Sequence, residues 1–460
     1  MYDNQQEYNV ATQNGRIIHT KINILNFNFQ IVGEISGVVL DGSSYNIDAT
    51  SDIRRTCNIT LIPTDSTYDV SFGSKIWMDK YVQIFIGIED NQNNNEIVYS
   101  NLGIYLINNP EQNYNATNNT ITISGVDLMA KITGMRNGYL EGITYQIGKD
   151  AGIKQAMTAL IRDECGFPNY SIDQPSPTIL TPYELTFGLG STAYNILAQL
   201  RDINPNYQTY FDVDGIFWFN QIPMGKIYEG QTGTNNQIMV DDDLWKKVLI
   251  SYKRNYDFEN VKNVIEVFGK TQDDGHTPYG KAVDDNPNSP FYVGAYNPTT
   301  HKYANGIRIV LSGGDYDNIY PLVDYYKYTP VSNPSGNPKT QGWYEFVGTS
   351  YVLTEDTTVV SGKAYYIRSQ NSLTEFNSLA QQRAEYELYT RCRLQDSLDL
   401  NCVPVYWLDV NWVISITLPN KQTGIEEKEY YIIKKIDTTL GVNGTQNITL
   451  MKYYPFYPFE

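Results

Sequence analysis

Apolar and polar residues alternate along the first part of the chain in the pattern of half-buried β-strands. Four segments between residues 15 and 135 carry this alternation or a short apolar run: 22–29, 56–62, 81–88 and 103–107. Polar turns separate the segments, and the longest turn is rich in asparagine. Short strands at this spacing predict a β-barrel or a β-sandwich over residues 15–135.

The pattern changes to a helical period in residues 136–230. The apolar positions of the first predicted helix share one face: Ile153, Met157, Leu160 and Ile161. Gly166 is suited to end this helix, and a second helix is predicted to begin near residues 191–192. A hairpin follows, with Asp214 and Gly215 in its tight turn. Together these elements predict a compact α/β module.

Strand patterns return after residue 231, but the segment 321–370 interrupts them. This segment opens with a proline-rich turn region and holds seven tyrosines, four acidic and four basic residues. We predict that it is a small, tyrosine-rich β domain inserted into a second β region, which consists of residues 231–320 and 371–455.

Two further elements are predicted near the end of the chain. Ser372 and Glu375 match a capping box, which predicts a helix over residues 372–392 with Leu373, Phe376, Ala380, Ala384 and Leu388 on its apolar face. The last residues, 456–460, form an aromatic tail with a proline, which we expect to pack on a surface or on a partner.

Composition excludes several classes of protein. The 460 residues include 51 acidic and 34 basic side chains, a net charge of −17, and 13% aromatic residues with 39 tyrosines. Such aromatic density argues against disorder, and the acidity argues against a protein that coats nucleic acid. The first ten residues are polar and no apolar run approaches 18 residues, so neither a signal peptide nor a membrane span is predicted.

The cysteines and histidines are too scattered to predict a metal site. Cys57, Cys165, Cys392 and Cys402 contain no Cys-x-x-Cys pair, so we expect reduced thiols, although a bridge between the last two stays open. His19, His276 and His301 lie in separate segments and pair with no cysteine at metal spacing. No zinc site is predicted, because zinc requires about four nitrogen or sulfur ligands.

Three acidic segments resemble functional motifs only in part. Residues 212–215 match the opening of a calcium loop, but Ile216 stands where the next ligand belongs, so a hairpin turn is the preferred interpretation. Residues 241–243 and 273–276 are interpreted as solvated acidic loops. We therefore predict no catalytic residue, no cofactor and no metal ligand.

The order of the segments is similar to that of the tail or baseplate hub proteins of tailed bacteriophages, which in turn are similar to the hub subunits of contractile injection machines. The resemblance covers about residues 20–455 and is carried by these segments: 210–219 (YFDVDGIFWF), 261–269 (VKNVIEVFG), 315–320 (DYDNIY), 379–388 (LAQQRAEYEL), 404–412 (PVYWLDVNW) and 444–450 (GTQNITL).

The resemblance implies an α+β, mainly β fold with two β-barrel-like ring domains. Residues 15–135 would form the first ring domain, residues 231–320 and 371–455 the second, with 136–230 as the α/β module between them. It also implies a homotrimeric, non-enzymatic hub in the virion tail or baseplate, assembled in the cytoplasm of the host. Its partners would be the tail tube protein, distal tail or baseplate proteins, and a tail spike or tip protein.

DNA would pass through the ring without specific binding. We expect the acidic surplus to lie on the ring domains, because the inserted segment is neutral by count and an acidic wall would repel phosphate.

A carbohydrate-binding or carbohydrate-cleaving protein acting on the host surface is the alternative. It rests on aromatic residues of the insert that could stack on sugars and on the acidic clusters. The candidate contact residues of the insert, for a sugar or for a partner protein, are Trp343, Tyr344, Tyr351 and Tyr365.

Overall fold

A computed structural model gives the architecture of the chain. It describes residues 4–37, 42–63, 65–114, 119–140, 144–174, 180–181, 184–203, 207–223, 238–271, 277–314, 316, 319, 342–347, 350–353, 364–369, 372–374, 378–393, 395–419, 426–441 and 443–453. For the strands between residues 342 and 374 only the backbone is described. The predicted loop 273–276 and the predicted tail 456–460 therefore fall outside the described residues.

The N-terminal part is a short helix followed by seven strands. Their bounds are α1 Gln5–Thr12, β1 Ile18–Leu25, β2 Ile31–Gly37, β3 Ser44–Asp48, β4 Arg55–Leu61, β5 Tyr81–Asp90, β6 Glu96–Tyr114 and β7 Asn119–Val126.

The next part alternates short strands with two helices. Their bounds are β8 Tyr145–Ile147, α2 Ile153–Ala159, β9 Tyr170–Ile172, β10 Leu185–Phe187, α3 Ala193–Asp202, β11 Tyr207–Phe211 and β12 Phe217–Gln221. The last turn of α2 widens into a π-helical segment over Leu160–Glu164.

The C-terminal part contains the remaining elements. Their bounds are β13 Ile238–Val240, α4 Asp242–Val248, β14 Leu249–Asp257, β15 Val264–Phe268, β16 Tyr279–Val283, β17 Tyr296–Asn297, β18 Lys302–Tyr303, β19 Arg308–Leu311, β20 Gly342–Val347, β21 Ser350–Leu353, β22 Ala364–Ser369, β23 Ser372–Thr374, α5 Ser378–Arg391, β24 Gln395–Cys402, β25 Val413–Pro419, β26 Glu426–Thr439 and β27 Gln446–Lys452.

One sheet of 13 strands joins the two ends of the chain, so the protein is mainly β as predicted. Its main path runs β14-β24-β27-β26-β3-β4-β7-β6-β5-β1-β2, with β25 and β13 branching from β26. Strand β3 pairs antiparallel with β26, as in Ile47 opposite Ile436. This pairing merges the strands of both halves into one sheet. Among the described residues the sheet is open, so the two-barrel part of the prediction is not confirmed.

The largest hydrophobic core lies against this sheet and draws on both halves. Ile84 and Tyr105 from the N-terminal strands and Tyr431 and Ile448 from the C-terminal strands are fully buried in it. Helix α4 contributes Trp245, which is 1% exposed. A shared core means that the two halves stabilise each other and are not independent units.

The α/β module contains an internal repeat. Residues 145–160 and 185–200 both run from a strand through a turn into a helix, and the two strands, β8 and β10, pair antiparallel. Asp150 and Gly190 occupy the same turn position with φ of 61° and 82°. Met157 and Leu197 occupy the same buried helix position. The predicted face of α2 is confirmed, since all four of its apolar residues are fully buried.

The two other local predictions for the module are also confirmed. Thr192 accepts a hydrogen bond from the backbone N–H of Asn195 and caps α3. Strands β11 and β12 form a hairpin around Gly215, whose φ of 75° suits the tight turn.

Helix α5 begins later than the sequence predicts. Ser372 lies in strand β23, so the capping-box interpretation is wrong, and the helix starts at Ser378. The later part of the predicted apolar face is correct: Ala380, Ala384 and Leu388 are fully buried against β15 and β16 of a separate three-stranded sheet, β16-β15-β19. Residues 372–374 form a strand rather than the start of a helix because β23 pairs with β22.

Strands β20 to β23 form their own four-stranded antiparallel sheet. All four lie between residues 342 and 374, which overlaps the predicted insert. The exact domain division of the chain stays a prediction.

Candidate assembly surface

Eight strands from both halves form one continuous layer. Their order is β14-β24-β27-β26-β3-β4-β7-β6, and every neighbouring pair is antiparallel. Strand β6 takes part with its second half, residues 107–114. One side of the layer covers the hydrophobic core, and the other side, which we call the polar face, is turned away from it.

Short neutral side chains make up most of the polar face. They are Ser44, Asn46, Thr56, Asn58, Thr60, Asn109, Asn113, Thr120, Thr122, Ser124, Ser251, Asn255, Ser397, Asn401, Thr439, Asn447 and Thr449. Several bond across strands: the Asn401 amide donates to Asn447 Oδ1 at 2.8 Å, and the hydroxyls of Thr60 and Thr122 lie 3.1 Å apart. These contacts cross the boundaries between strands and make the face one surface.

Few charged side chains interrupt the polar face. Five are acidic and two are basic: Asp48, Glu111, Asp257, Asp399, Asp437, Lys253 and Lys435. Thr449 Oγ1 and Asn255 Nδ2 both donate to the carboxylate of Asp399, each at 3.0 Å. The face is therefore an amide and hydroxyl surface with a small acidic surplus.

Both ends of the eight-strand layer have an unpaired edge among the described residues. Among the described strands, β14 pairs only with β24, and residues 107–114 of β6 pair only with β7, because the pairing of β6 with β5 ends at Leu106, opposite Tyr81. Pro110 lies in this part of β6, and proline is confined to edge strands in sheets because it cannot donate to a ladder. Such edges are templates for pairing with another chain.

The core-facing side of β14 is poorly covered. Tyr252 and Arg254 stand opposite the buried Leu400 and Leu398, so they point to the core side of the layer. Nevertheless Tyr252 is 37% exposed, Tyr256 is 52% exposed and Phe258, just beyond the strand, is 75% exposed. An apolar stripe at an open sheet edge marks a surface that an interaction partner can bury.

A buried charged cluster holds the two halves and the α/β module together. Arg55, 1% exposed at the start of β4, donates to Asp409 of the C-terminal half and to the carbonyl of Phe211 in the module. Its backbone N–H donates to Asp127 Oδ2 at 2.9 Å. Burial is the largest single effect and lowers the pKa of Arg55, but the combined attraction of Asp409, Tyr105, Asp127 and Tyr210 outweighs it, so the pKa is raised.

A polar chain continues from this cluster, and we call the whole the junction. Gln208 Oε1 accepts from Arg54 Nη2 and from Asn411 Nδ2, each at 2.6 Å, and Lys434 Nζ donates to Asn411 Oδ1 at 3.0 Å. The Arg54 guanidinium lies 3.9 Å from the centre of the Tyr210 ring. Burial, with Arg393 and Arg54 nearby, lowers the pKa of Lys434 to about 8. The N-terminal half, the α/β module and the C-terminal half therefore each contribute polar groups to the junction.

The acidic segments singled out in the sequence have structural roles. Asp212 Oδ1 accepts from the backbone N–H groups of Asp214 and Ile216, and its Oδ2 accepts from Trp218 Nε1 at 2.7 Å, which confirms the hairpin interpretation. Residues 241–243 are not a solvated loop, because Asp241 caps helix α4 through the N–H of Asp243. The helix dipole explains why acidic residues stand there.

The four cysteines and two of the three histidines lie within the described residues, and His276 lies outside them. All four cysteines are free, and the Sγ of Cys392 lies 3.5 Å from Asp284 Oδ2. His19 Nε2 lies 2.7 Å from Glu89 Oε1. Within the described residues, no group of three or more His, Cys, Asp or Glu side chains is placed to hold a metal ion. No helix in that part of the chain is long and apolar enough to cross a membrane.

The candidate contact residues of the insert lie on neighbouring strands. Trp343 and Tyr344 are in β20, Tyr351 is in β21 and Tyr365 is in β22. The backbone register sets Tyr344 opposite Tyr365. Because their side chains are outside the description, a contact role for these residues stays a prediction.

The fold is that of bacteriophage tail proteins. The 43 kDa tail protein of prophage MuSo2 from Shewanella oneidensis shares 10% sequence identity with this chain at a TM-score of 0.51, over 95% of this chain and 98% of that protein. The resemblance predicted from the order of the segments is thereby confirmed at the level of the fold.

Two other solved structures are also similar. The tail protein from Neisseria meningitidis MC58 is 9% identical at a TM-score of 0.48, with 94% of this chain and 96% of that chain covered. The prophage tail protein gp18 from Listeria monocytogenes EGD-e is 10% identical at a TM-score of 0.46, with 94% of each chain covered.

Sequence comparisons add one match. A family model described as "Domain of unknown function (DUF5048)" matches residues 362–457, which contain α5 and β24 to β27. A comparison with curated protein sequences gave no match.

Sequence reasoning missed the junction and the pairing of β3 with β26. Two consecutive arginines at the start of a strand, in an acidic chain, were a signal for the junction, since a buried arginine requires a partner. No local signal predicts the pairing of β3 with β26, because these strands are separated by nearly the whole chain.

Proposed function

We propose that this chain is a structural hub of a bacteriophage tail or baseplate. In the proposal three copies form a ring that joins the tail tube to the tail tip or spike, and DNA passes through the ring. The observation that carries it is the eight-strand layer: one polar face built by both halves, ending in an open edge on each side.

The strand directions favour joining one copy to the next. Neighbouring strands of the layer alternate in direction and the layer has eight strands, so β14 and β6 run in opposite directions. If β14 of one copy lies beside β6 of the next, the antiparallel alternation continues without a break. This head-to-tail contact uses two different surfaces, and such contacts generate rings when the rotation closes.

The charges at the two edges are complementary. Lys253 lies on the polar face of β14, and Glu111 lies on the polar face of β6. Pairing Lys253 with Glu111 would also set Asn255 opposite Asn109 and Ser251 opposite Asn113. Opposite charges directly across a strand pair stabilise a register.

The polar face suits a wall that DNA passes. It presents amides and hydroxyls with two lysines against five carboxylates, and therefore has no basic patch to retain phosphate. In this proposal each half supplies one barrel-like unit of the ring, and the acidic surplus of the ring domains adds repulsion. The proposal assigns no catalytic step to the chain. The virion location, the assembly in the host cytoplasm and the partners named above belong to the same proposal.

The mass in solution and a charge exchange test the ring. We expect sedimentation to give about three times the chain mass of 52.5 kDa. Glu111→Lys and Lys253→Glu should each raise the dissociation constant about tenfold, because each sets like charges opposite one another. The double variant E111K/K253E should return to within about threefold of the natural chain.

The mass of the natural chain tests the ring, and the double variant tests the proposed pairing of the edges. A stable monomer at micromolar concentration would overturn the ring. A double variant that associates no better than the single variants would overturn the proposed pairing of the edges even if a ring forms. Far-ultraviolet circular dichroism on each variant checks that the fold is intact.

A further inference from the structure

We propose that a cleft between the two halves binds an organic cation, an ammonium or guanidinium group carried on an apolar stem. The cleft has a volume of about 320 Å³ and lies where β3, β6, the β11–β12 hairpin turn and residues 406–412 meet. It is separate from the polar face and from the edges of the eight-strand layer, so the proposal does not depend on the ring.

Five aromatic residues line this cleft. Tyr45, Tyr406 and Trp407 are nearly buried within it, Trp412 is half-buried and Tyr99 is 38% exposed. The rings of Trp407 and Trp412 lie 6.4 Å apart at an angle of 36°. Several rings facing one space attract a cation through their negative faces, and this attraction strengthens when water is excluded.

Three carboxylates complete the lining, and no lysine or arginine is among the lining residues. Glu7 is 7% exposed and accepts from Ser100 Oγ at 2.7 Å, and Asp214 at the exposed mouth accepts from Asn101 Nδ2 at 2.8 Å. Asp409 is the third, and Arg55 neutralises it from the side of the junction. An ionised carboxylate has about four acceptor sites, so Asp214 at the exposed mouth can accept from a bound donor as well as from Asn101.

The size and the sign of charge together select the ligand class. About 320 Å³ accommodates one side-chain-sized group rather than a polymer. A low-dielectric cleft with carboxylates and no basic lining residue concentrates cations. One lining ring already has a cation near it, because Lys21 Nζ lies 5.8 Å from the centre of the Tyr99 ring. In the proposed complex, the alkyl stem of the ligand packs against the two tryptophans and its ammonium group lies near the carboxylate of Asp214.

Tryptophan fluorescence of the full chain tests the proposal. The probes are n-butylammonium, spermidine, and lysine and arginine capped at both ends, with n-pentanol and glucose as neutral probes. We expect saturable changes with the cations and none with the neutral compounds. Tighter binding of capped lysine or arginine would point to a side chain of a partner protein, and tighter binding of spermidine would point to a free polyamine; both support the cation site.

Two variants localise the site. Asp214→Asn should weaken cation binding about fivefold while it preserves the hairpin, because Asn-Gly suits the same tight turn. Trp412→Phe should weaken binding about threefold and reduce the signal. Asp243→Asn, a charge-matched change on the exposed first turn of α4, should have no effect.

The proposal is overturned by any of three results. These are no saturable change with any cation, equal responses to glucose or n-pentanol, and equal weakening by D214N and D243N. The second result would identify the cleft as a neutral sugar or alcohol site.

Discussion

The junction and the edges of the eight-strand layer use similar side chains in opposite ways. At the junction, arginine, aspartate and tyrosine are buried and bonded to one another across three parts of one chain. At β14, Tyr252, Lys253 and Tyr256 are exposed at an open edge. The junction thus stabilises a single copy, whereas the edge has surface left for contact between copies. Changes at the two places should separate folding from association.

The largest effect is expected from Arg55→Met. The change removes the partner of Asp409 and leaves the Phe211 carbonyl without its donor in a buried place. Breaking a buried ion pair on one side costs about 3–5 kcal/mol. Urea unfolding followed by circular dichroism should show a loss of this size in the free energy of unfolding.

Arg162→Met is the matched control for Arg55. Arg162 also pairs with an aspartate, Asp163, but both side chains are about half exposed. Its removal should leave the unfolding free energy nearly unchanged, because exposed ion pairs contribute little to stability. Equal losses from both changes would contradict the role of the junction.

Changes at the β14 edge should weaken association between copies and leave folding stability nearly unchanged. The double change Tyr252→Lys and Tyr256→Lys places two cations on the exposed apolar stripe of β14. Both residues are exposed, so the unfolding free energy should change little. Association of copies should weaken about 10- to 100-fold, because the cations would be desolvated at the contact, and sedimentation measures this.

A second double change separates this effect from added charge alone. Met135→Lys and Leu189→Lys alter two other exposed apolar residues, 54% and 73% exposed, outside the edge. This variant should associate like the natural chain. If it also dissociates, net charge rather than the β14 edge controls assembly.

Local patterns predicted much of the fold. The alternation of residues 81–88 became β5, and the helical spacing from Ile153 to Ile161 became the buried face of α2. The predicted strand 22–29 is correct only up to Leu25, where β1 ends, because residues 26–29 form a turn. Asp214 and Gly215 formed the expected hairpin turn. In these segments the local preference and the tertiary packing agree, which is the condition under which sequence patterns are reliable.

Long-range contacts decided the rest. The sequence of Ser372 to Glu375 favours a helix start, but pairing with β22 makes residues 372–374 a strand. The repeat of residues 145–160 in residues 185–200 was detectable, since both carry a glycine after the strand and leucine at the same helix position. The paired arginines signalled a buried charge, but its partners could not be predicted, because Arg55, Phe211 and Asp409 come together only when the whole chain is folded.

The smallest of these effects concerns the pH dependence of Lys434, at the end of the junction. Its pKa is about 8 in the folded chain against the ordinary value of 10.5. Between these values the unfolded chain binds more protons than the folded chain, so stability contributed at this site rises as the pH increases from about 8 to 10.5 and is constant above that range. After allowance for its partial exposure, the rise should be about 1–2 kcal/mol.

The measurement is the unfolding free energy of the natural chain minus that of Lys434→Met at several pH values, which removes the titration of other groups. Lys435→Met, a neighbour on the polar face, should leave the pH dependence unchanged; a difference that falls with pH would show that the charged form of Lys434 stabilises the junction.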